Sequence, residues 1–255
     1  MANLKELRNR ITSISSTMQI TSAMKMVSAA KLKKAQDAIE QMRPFSSKLQ
    51  DIIANVSATL DSSEGPFSQE REVKKMLIVP VTSNRGLCGG FNSGVIKEVN
   101  AIIENNKGAD VSLFTIGKKS TAAYKKTNMV KGDDIEIWND LTFANASDIA
   151  EQLMTEYLEG KWDKIVLVYN RFKNAATQVV TAEQFLPISS SEESNTDSAA
   201  TGDYIYEPQK EEILNILIPK SLKTQVFKVL LDSQASEHGA RMTAMHKATD
   251  NATEL

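Results

Sequence analysis

The sequence has a single cysteine and two histidines, and it has no glycine before Gly65. Cys88 cannot form a disulfide within the chain, which favours a reducing compartment. No run of about 18 apolar residues occurs, so no membrane span is predicted. The N-terminal MANLKELRNR also lacks the apolar core of a secretory signal. The 255 residues are 41% hydrophobic and 24% charged, as in an ordinary globular protein of one or two domains.

Positive charge is concentrated near the N-terminus. Residues 1–60 contain nine Lys or Arg and four Asp or Glu, so they carry +5 while the remainder carries −7. Lys25, Lys31, Lys33 and Lys34 form a basic band without an acidic residue among them. Such a band is typical of a surface that binds nucleic acid or an acidic protein, or of a solvated helix face. No aromatic residue interleaves with the lysines, which disfavours stacking on single-stranded bases.

The first sixty residues carry a heptad pattern. The a positions are Leu4, Ile11, Met18, Lys25, Leu32, Ile39, Ser46, Ile53 and Leu60. The d positions are Leu7, Ile14, Thr21, Ser28, Ala35, Met42, Leu49 and Val56. Thirteen of these seventeen residues are apolar, which predicts one long coiled-coil helix that projects from the rest of the molecule. The pattern keeps its phase through Pro44, which predicts a kink rather than a break.

Thr21, Lys25 and Ser28 interrupt the apolar seam. Polar residues at a and d positions weaken a coiled coil but can fix its register. A second interpretation is that this part of the helix faces something other than the partner helix.

Strands alternate with helices after the break SSEGPFSQERE (62–72). The predicted strands are 76–81, 111–117, 164–170 and 177–188, with a possible short strand at 204–208. The predicted helices are 92–106, a short one at KKSTAAYKK and one from about Ser147 to Gly160. This order predicts a mostly parallel sheet covered on both faces. The polar segment 189–203 is predicted to be a surface loop.

The chain from Glu211 onward is predicted to be one helix, with Pro219 as a possible kink. Its alanines at 240, 244, 248 and 252 form a ridge that lets another helix approach closely. We expect it to pair with the N-terminal helix as an antiparallel coiled coil. The predicted parts are a coiled-coil helix (1–61), a Rossmann-like α/β domain (72–207) and a second coiled-coil helix (208–255). The absence of a C-cap signal in ATDNATEL predicts that the last helix continues further.

The loop NRGLCGGFN (84–92) lies between a strand and a helix, where many proteins bind phosphate. Its glycines Gly86, Gly89 and Gly90 do not match G-x-G-x-x-G, and the next strand ends without an acidic residue. No Gly-Lys-Ser/Thr follows, as a P-loop requires. Two other interpretations are a tight turn with positive φ at its glycines, and an exposed contact loop with Arg85 and Cys88 at its tip.

The residues do not indicate catalysis or metal binding. A nucleophilic cysteine needs a histidine base, and His238 and His246 both lie on the C-terminal helix, far from Cys88 in sequence. The two histidines are eight positions apart and have no cysteine beside them, which is a poor metal site. We therefore expect no catalytic residues, no metal and no cofactor.

Three blocks together resemble the gamma subunit of F-type ATP synthases. They are ITSAMKMVSAAKLKKAQ (20–36), the glycine loop and SEHGARMTAMHKATDNA (236–252), and they occur in the family's order across the whole chain. The resemblance implies a central-stalk rotor subunit that couples proton flow through the membrane sector to ATP synthesis on the beta subunits. It implies that the chain itself is not an enzyme.

The resemblance also implies partners and contact residues. The partners are the alpha3beta3 hexamer, the epsilon subunit and the membrane c-ring, with neither nucleic acid nor membrane insertion. The residues expected to face the alpha/beta ring are Met24, Lys25, Lys31, Lys33, Arg85, Cys88, Glu237, Arg241 and Met245. Met1 without a transit peptide favours a bacterial protein, peripheral on the cytoplasmic face of the inner membrane.

Two departures and two alternatives remain at this point. The family commonly has Asp where this chain has Asn84, so a salt bridge from that position is absent. Family members usually also continue well beyond a block like ATDNATEL.

The alternatives are a Rossmann-like nucleotide-binding enzyme with helical dimerisation arms, and a coiled-coil adaptor or nucleic-acid-binding arm. Nucleotide binding by the isolated chain would favour the first, and salt-sensitive nucleic-acid binding through residues 25–34 the second.

Overall fold

The computed structural model describes residues 3–57, 66–69, 71–188 and 210–255. The helices are α1 (Leu4–Ser57), α2 (Phe91–Asn105), α3 (Lys118–Tyr124), α4 (Phe143–Leu158) and α5 (Lys210–Glu254). The strands are β1 (Lys75–Pro80), β2 (Asp110–Ile116), β3 (Val130–Asp134), β4 (Lys164–Phe172) and β5 (Gln178–Leu186). The possible strand at 204–208 and the predicted surface loop at 189–203 lie outside the described residues.

The two terminal helices pack against each other in antiparallel orientation, as predicted. Thr21 of α1 shares a hydrogen bond of 2.8 Å with Thr249 of α5. Further along α1, Leu32, Ala35 and Ile39 form one core with Leu231 and Ala235 of α5. At 1.5 Å per residue, α1 is about 80 Å long and α5 about 68 Å. Both helices continue through their internal prolines, Pro44 and Pro219.

The heptad pattern identifies the buried face of α1 over most of its length. Every a and d position from Ile14 to Leu49 is buried or half-buried. Leu4, Leu7 and Ile11 are instead exposed, and here the predicted seam is wrong. The physical reason is that α5 ends beside Met18, where Thr253 donates a hydrogen bond to the Met18 sulfur. The side chains of Ile53, Val56 and Leu60 lie outside the described residues.

The sheet is mostly parallel and is covered on both faces, as predicted. Its strand order is β3-β2-β1-β4-β5, with β5 antiparallel to β4 and all other neighbours parallel. Alternate side chains of the central strands enter two separate cores, which explains their continuous apolar runs. Met76 and Ile78 pack towards α2 and α3, whereas Leu77 and Val79 pack towards α4 and α5.

Some element boundaries differ from the sequence prediction. Helix α4 starts at Phe143 rather than near Ser147, because the Thr142 hydroxyl accepts a hydrogen bond from the Asn145 backbone N–H and caps the helix. Strand β3 pairs with β2 through a short polar segment that carries no apolar alternation. Tertiary pairing therefore creates β3 where the local sequence gives no strand signal.

Helix α5 lies between α1 and the sheet and joins the two. Leu222, Val226 and Leu230 belong to the core beneath the sheet, while Leu231 and Ala235 belong to the core shared with α1. A helix that is apolar on two sides shows no single amphipathic face. The α/β part and the coiled coil are thus held together mainly through α5, and Phe172 of β4 also packs in the core shared with α1.

Candidate functional site

The glycine loop lies at the switch point of the doubly wound sheet, where the strand order reverses. Strands β1 and β4 are parallel neighbours, and the chain leaves β1 towards β2 on the other side. Ligands of such sheets bind at the carboxyl ends of the two strands at this switch point. Residues 82–90 follow β1 at this edge, and Asn170 near the end of β4 donates a hydrogen bond of 3.1 Å to the Phe91 carbonyl.

Helix α5 fills the crevice at the switch point. The Ser236 hydroxyl donates a hydrogen bond of 2.9 Å to the Asn170 carbonyl, and both residues are buried. Ala240 packs against Cys88 and Phe91. The chain's own side chains therefore occupy the position that a nucleotide would take in the enzyme alternative.

Cys88 lies beneath the loop, and its predicted position at an exposed tip is wrong. The side chain is 2% exposed. Its sulfur accepts a hydrogen bond of 3.1 Å from the Asn92 amide, and the Ser83 hydroxyl lies 3.8 Å away. The contact with the partner ring expected of Cys88 stays a prediction, but in this structure the exposed side chains of the loop are those of Arg85 and Leu87.

The loop's backbone differs from the glycine-based prediction. Of its three glycines, only Gly89 has positive φ, at 56°. Leu87 is the second left-handed residue, with φ 61°. An added Cβ at Gly86 or Gly90 would meet only ordinary contacts. The turn thus depends on Gly89 and on a leucine in a conformation that leucine disfavours.

Asn84 joins the loop to the neighbouring strand and helix. Its amide nitrogen donates a hydrogen bond of 2.9 Å to the Ile135 carbonyl, and its amide oxygen accepts one of 2.9 Å from the Lys118 N–H. An aspartate could accept from Lys118 but could not donate to Ile135. Asparagine is therefore a good fit at the position where the family commonly has an acid.

Arg241 of α5 binds the loop from inside. Its guanidinium donates to the carbonyls of Arg85 and Gly86, at 3.2–3.3 Å. Its remaining nitrogen pairs with Glu237, one helical turn earlier, at 2.7 Å. Both residues are 8% exposed. Burial raises the pKa of Glu237, and the positive charge of Arg241 opposes that rise.

One basic residue of α1 and one of the loop lie near this buried pair, and two further lysines of α1 have other partners. Lys31 and Arg85 both interact electrostatically with Glu237, and both are exposed. Lys25 is half-buried, with its ammonium 3.4 Å from Nδ1 of His246. Lys33 pairs with Asp37 at the surface, at 2.7 Å. The structure thus brings three separate segments of the predicted site together.

Met24 and Met245 differ in exposure. Met24 is half-buried on α1, whereas Met245 is 5% exposed within the chain. Like Glu237 and Arg241, Met245 therefore has an internal packing role in this structure. That these residues contact a partner ring stays a prediction.

The polar interruption of the α1 seam faces α5. Thr21 bonds to Thr249, Lys25 approaches His246, and Ser28 is buried. The interpretation that this part of α1 turns away from its partner helix is therefore wrong. The polar pairs fit the other interpretation, in which they fix the register of the two helices.

Sequence reasoning missed a set of exposed apolar side chains near the basic band. They are Ile20, Met26 and Val27 on α1 and Leu87 in the glycine loop. The signal was present, because residues 20, 26 and 27 are apolar at heptad positions c, b and c, which point away from a coiled-coil seam. Exposed apolar residues next to charges are typical of a protein contact surface.

The described residues provide neither a metal cluster nor a membrane span. Within them, no group of three or more His, Cys, Asp and Glu side chains could hold a metal ion. None of their helices combines the length and apolar character needed to cross a membrane.

Comparison with known proteins decides the family. Residues 3–255 match the family model described as ATP synthase. The ATP synthase gamma chain of Flavobacterium johnsoniae is 60% identical over 256 residues, covering all of this chain and 89% of the relative. The chain belongs to the ATP synthase gamma chain family. The gamma chain of a Geobacter species is 43% identical over 257 residues, with the same coverage of both chains.

Solved structures agree with this assignment. A chain of the Tetrahymena thermophila mitochondrial ATP synthase central stalk and c-ring has a TM-score of 0.68 at 28% identity, covering 90% of this chain and 99% of that one. A rotor chain of the Euglena gracilis enzyme has the same fold, with a TM-score of 0.68 at 22% identity over 97% and 91% of the two chains. As a gamma chain, the protein is a non-catalytic central-stalk subunit of the ATP synthase rotor.

Proposed function

We propose that this chain turns inside an alpha3beta3 hexamer and couples proton flow through a membrane c-ring to ATP synthesis on the beta subunits. The observation that supports this most is the antiparallel pair of α1 and α5, about 80 Å and 68 Å long, joined to a sheet domain through α5. A pair of long packed helices can transmit torque to a distance that loops cannot.

The contact surface for the ring consists of the basic residues and the exposed apolar residues beside them. Lys31 and Arg85 come from two segments and lie near one buried ion pair. Lys25 lies further along α1, beside His246. Ile20, Met26 and Val27 add apolar contact area on α1. Exposed charge pairs are individually weak, at about 1 kcal/mol or less. Several weak contacts let a turning helix pair exchange partners without being held at one angle.

The proposal includes the three-part division at 1–61, 72–207 and 208–255. It also includes the place of the protein: peripheral, on the cytoplasmic face of a bacterial inner membrane, with the sheet domain towards an epsilon subunit and the c-ring. The support is the bacterial origin of the similar gamma chains and the central-stalk and c-ring assembly of the Tetrahymena relative.

Co-purification from native membranes tests the assembly. We expect this chain to purify with alpha and beta subunits in a ratio of one to three to three, as an alpha3beta3 ring around one shaft requires. Purification of the chain without either subunit would contradict the proposal.

The basic band has its own test in the assembled complex. The triple variant Lys25→Ala, Lys31→Ala and Lys33→Ala should lower the number of protons pumped per ATP hydrolysed, because it removes charged contacts between shaft and ring. The control replaces Lys97, Lys125 and Lys126, which are exposed on the sheet domain. Equal coupling in both variants and the wild type would show that the band does not carry torque.

A further inference from the structure

The guanidinium of Arg241 is shared between a helix and a loop. One nitrogen pairs with Glu237 on the same helix, at 2.7 Å. The others donate to two successive carbonyls, those of Arg85 and Gly86. Arginine has a rigid, planar set of donors, so these contacts fix the direction of both carbonyls relative to α5.

The loop held in this way has an unfavourable backbone conformation. Leu87 follows Gly86 directly and has φ 61°, in the left-handed region. Residues with a Cβ avoid this region because Cβ approaches the following carbonyl oxygen. The leucine side chain is 63% exposed, so packing within the chain does not compensate for the strain. Other contacts must therefore hold this conformation.

The contacts beneath the loop can do so. The Ser83 hydroxyl donates a hydrogen bond of 2.6 Å to the Arg85 carbonyl, which also accepts from Arg241. Cys88 is buried against Phe91 and Ala240, on the inner side of the loop. Hydrogen bonds from a charged donor are stronger than neutral ones, so Arg241 should contribute most.

We propose that Arg241, paired with Glu237, is a positioning residue that holds residues 83–90 in the strained conformation that projects Arg85 and Leu87 outwards. The loop is then a contact preformed by α5 rather than a mobile segment. This inference rests on the proposed function in one respect: it takes the alpha3beta3 ring as the partner that Arg85 and Leu87 contact. A preformed contact loses less conformational entropy on binding.

The buried cysteine provides a direct measurement. Cys88 is the one cysteine of the chain, and it becomes reactive only when the loop opens or the whole protein unfolds. The experiment measures the rate at which a maleimide labels Cys88 in the full chain at neutral pH. Each rate is repeated at several low urea concentrations, because local opening depends little on urea whereas global unfolding depends on it strongly.

The test variant is the double substitution Arg241→Met and Glu237→Gln, which removes the guanidinium without leaving a buried carboxylate unpaired. We expect labelling to be about 10- to 100-fold faster than in the wild type, the size of effect expected for the loss of charged hydrogen bonds. The rate should be nearly independent of urea, because the loop opens locally. Arg241→Lys keeps the charge but loses the planar set of donors, and should give an intermediate rate. It also provides the test if the double variant does not fold.

The control is Leu153→Ala, a buried residue of α4 in the core between that helix and the sheet. It lowers global stability without touching the loop, so any faster labelling should depend strongly on urea. Wild-type labelling rates in Arg241→Lys and in the double variant would overturn the proposal. This failure is distinct from failure of the rotor assignment, which depends on co-purification with alpha and beta subunits.

Discussion

At the scale of single residues, the glycine loop shows how a local pattern can mislead. Gly86 and Gly90 suggest positive φ, yet Leu87 and Gly89 are the residues that adopt it. Leucine at φ 61° contradicts the local preference, and contacts from α5, far away in sequence, impose it. The burial of Cys88 depends on the same helix. Neither feature could be predicted without knowing where α5 packs.

Leu87→Gly should stabilise the protein. Glycine adopts positive φ without strain, and the leucine side chain is mostly exposed. We expect the free energy of unfolding to rise by about 0.5 to 1 kcal/mol, after the greater flexibility of glycine in the unfolded chain is subtracted. Urea denaturation measures it. Leu87→Ala keeps the strain and should show no such gain, and equal stability of the two variants would contradict a strained Leu87.

His238 should make stability depend on pH. Burial, together with the positive charges of Arg241 and Lys31, lowers the pKa of His238 to about 4. The unfolded chain therefore binds a proton near pH 6.5 that the folded chain binds only near pH 4, so stability falls as pH decreases across this window.

His238→Gln removes this contribution to the pH dependence. Glu237 and Asp232 have pKa values raised by burial, so they act in the opposite direction, but they are present in both proteins. As the pH falls from 7 to 4, the free energy of unfolding of the wild type should therefore decrease relative to that of the variant. A constant difference would mean that His238 titrates normally in the folded protein.

At the scale of elements, the seam of α1 was predictable because a heptad repeat identifies a buried helix face without knowledge of the partner. The polar gap was harder to interpret. Thr21 at a d position is compatible either with a different partner or with a polar contact inside the pair. The hydrogen bond to Thr249 decides between them, and it depends on the register of two helices at opposite ends of the chain.

Ile39→Ala and Ile20→Ala compare two positions on the same helix. Ile39 is 4% exposed in the core with α5, whereas Ile20 is 60% exposed. We expect Ile39→Ala to lower the free energy of unfolding by about 2–5 kcal/mol, because it leaves a cavity. Ile20→Ala should change it by less than about 0.5 kcal/mol. Thermal or urea unfolding distinguishes them, and comparable losses would contradict the antiparallel packing.

At the scale of the whole molecule, the heptad repeat of α1, the alanine ridge of α5 and the alternation of apolar runs with helical segments predicted the two long helices and the mostly parallel sheet. How these parts pack against one another was harder to predict from the sequence. α5 contributes to the sheet core through Leu222 and Leu230 and to the α1 core through Leu231, so it has no single apolar face from which a partner could be inferred. This double packing also brings the glycine loop, Arg241 and Lys31 together.

The central claim is that this chain rotates relative to the alpha/beta ring, and a single-molecule experiment tests it most directly. The complex is fixed to a surface through its beta subunits. A bead is attached at Lys107→Cys, an exposed position in the turn after α2. On addition of ATP we predict sustained rotation of the bead in one direction, stopping when ATP is removed. A bead that stays at a fixed angle while the same complexes hydrolyse ATP would contradict the account.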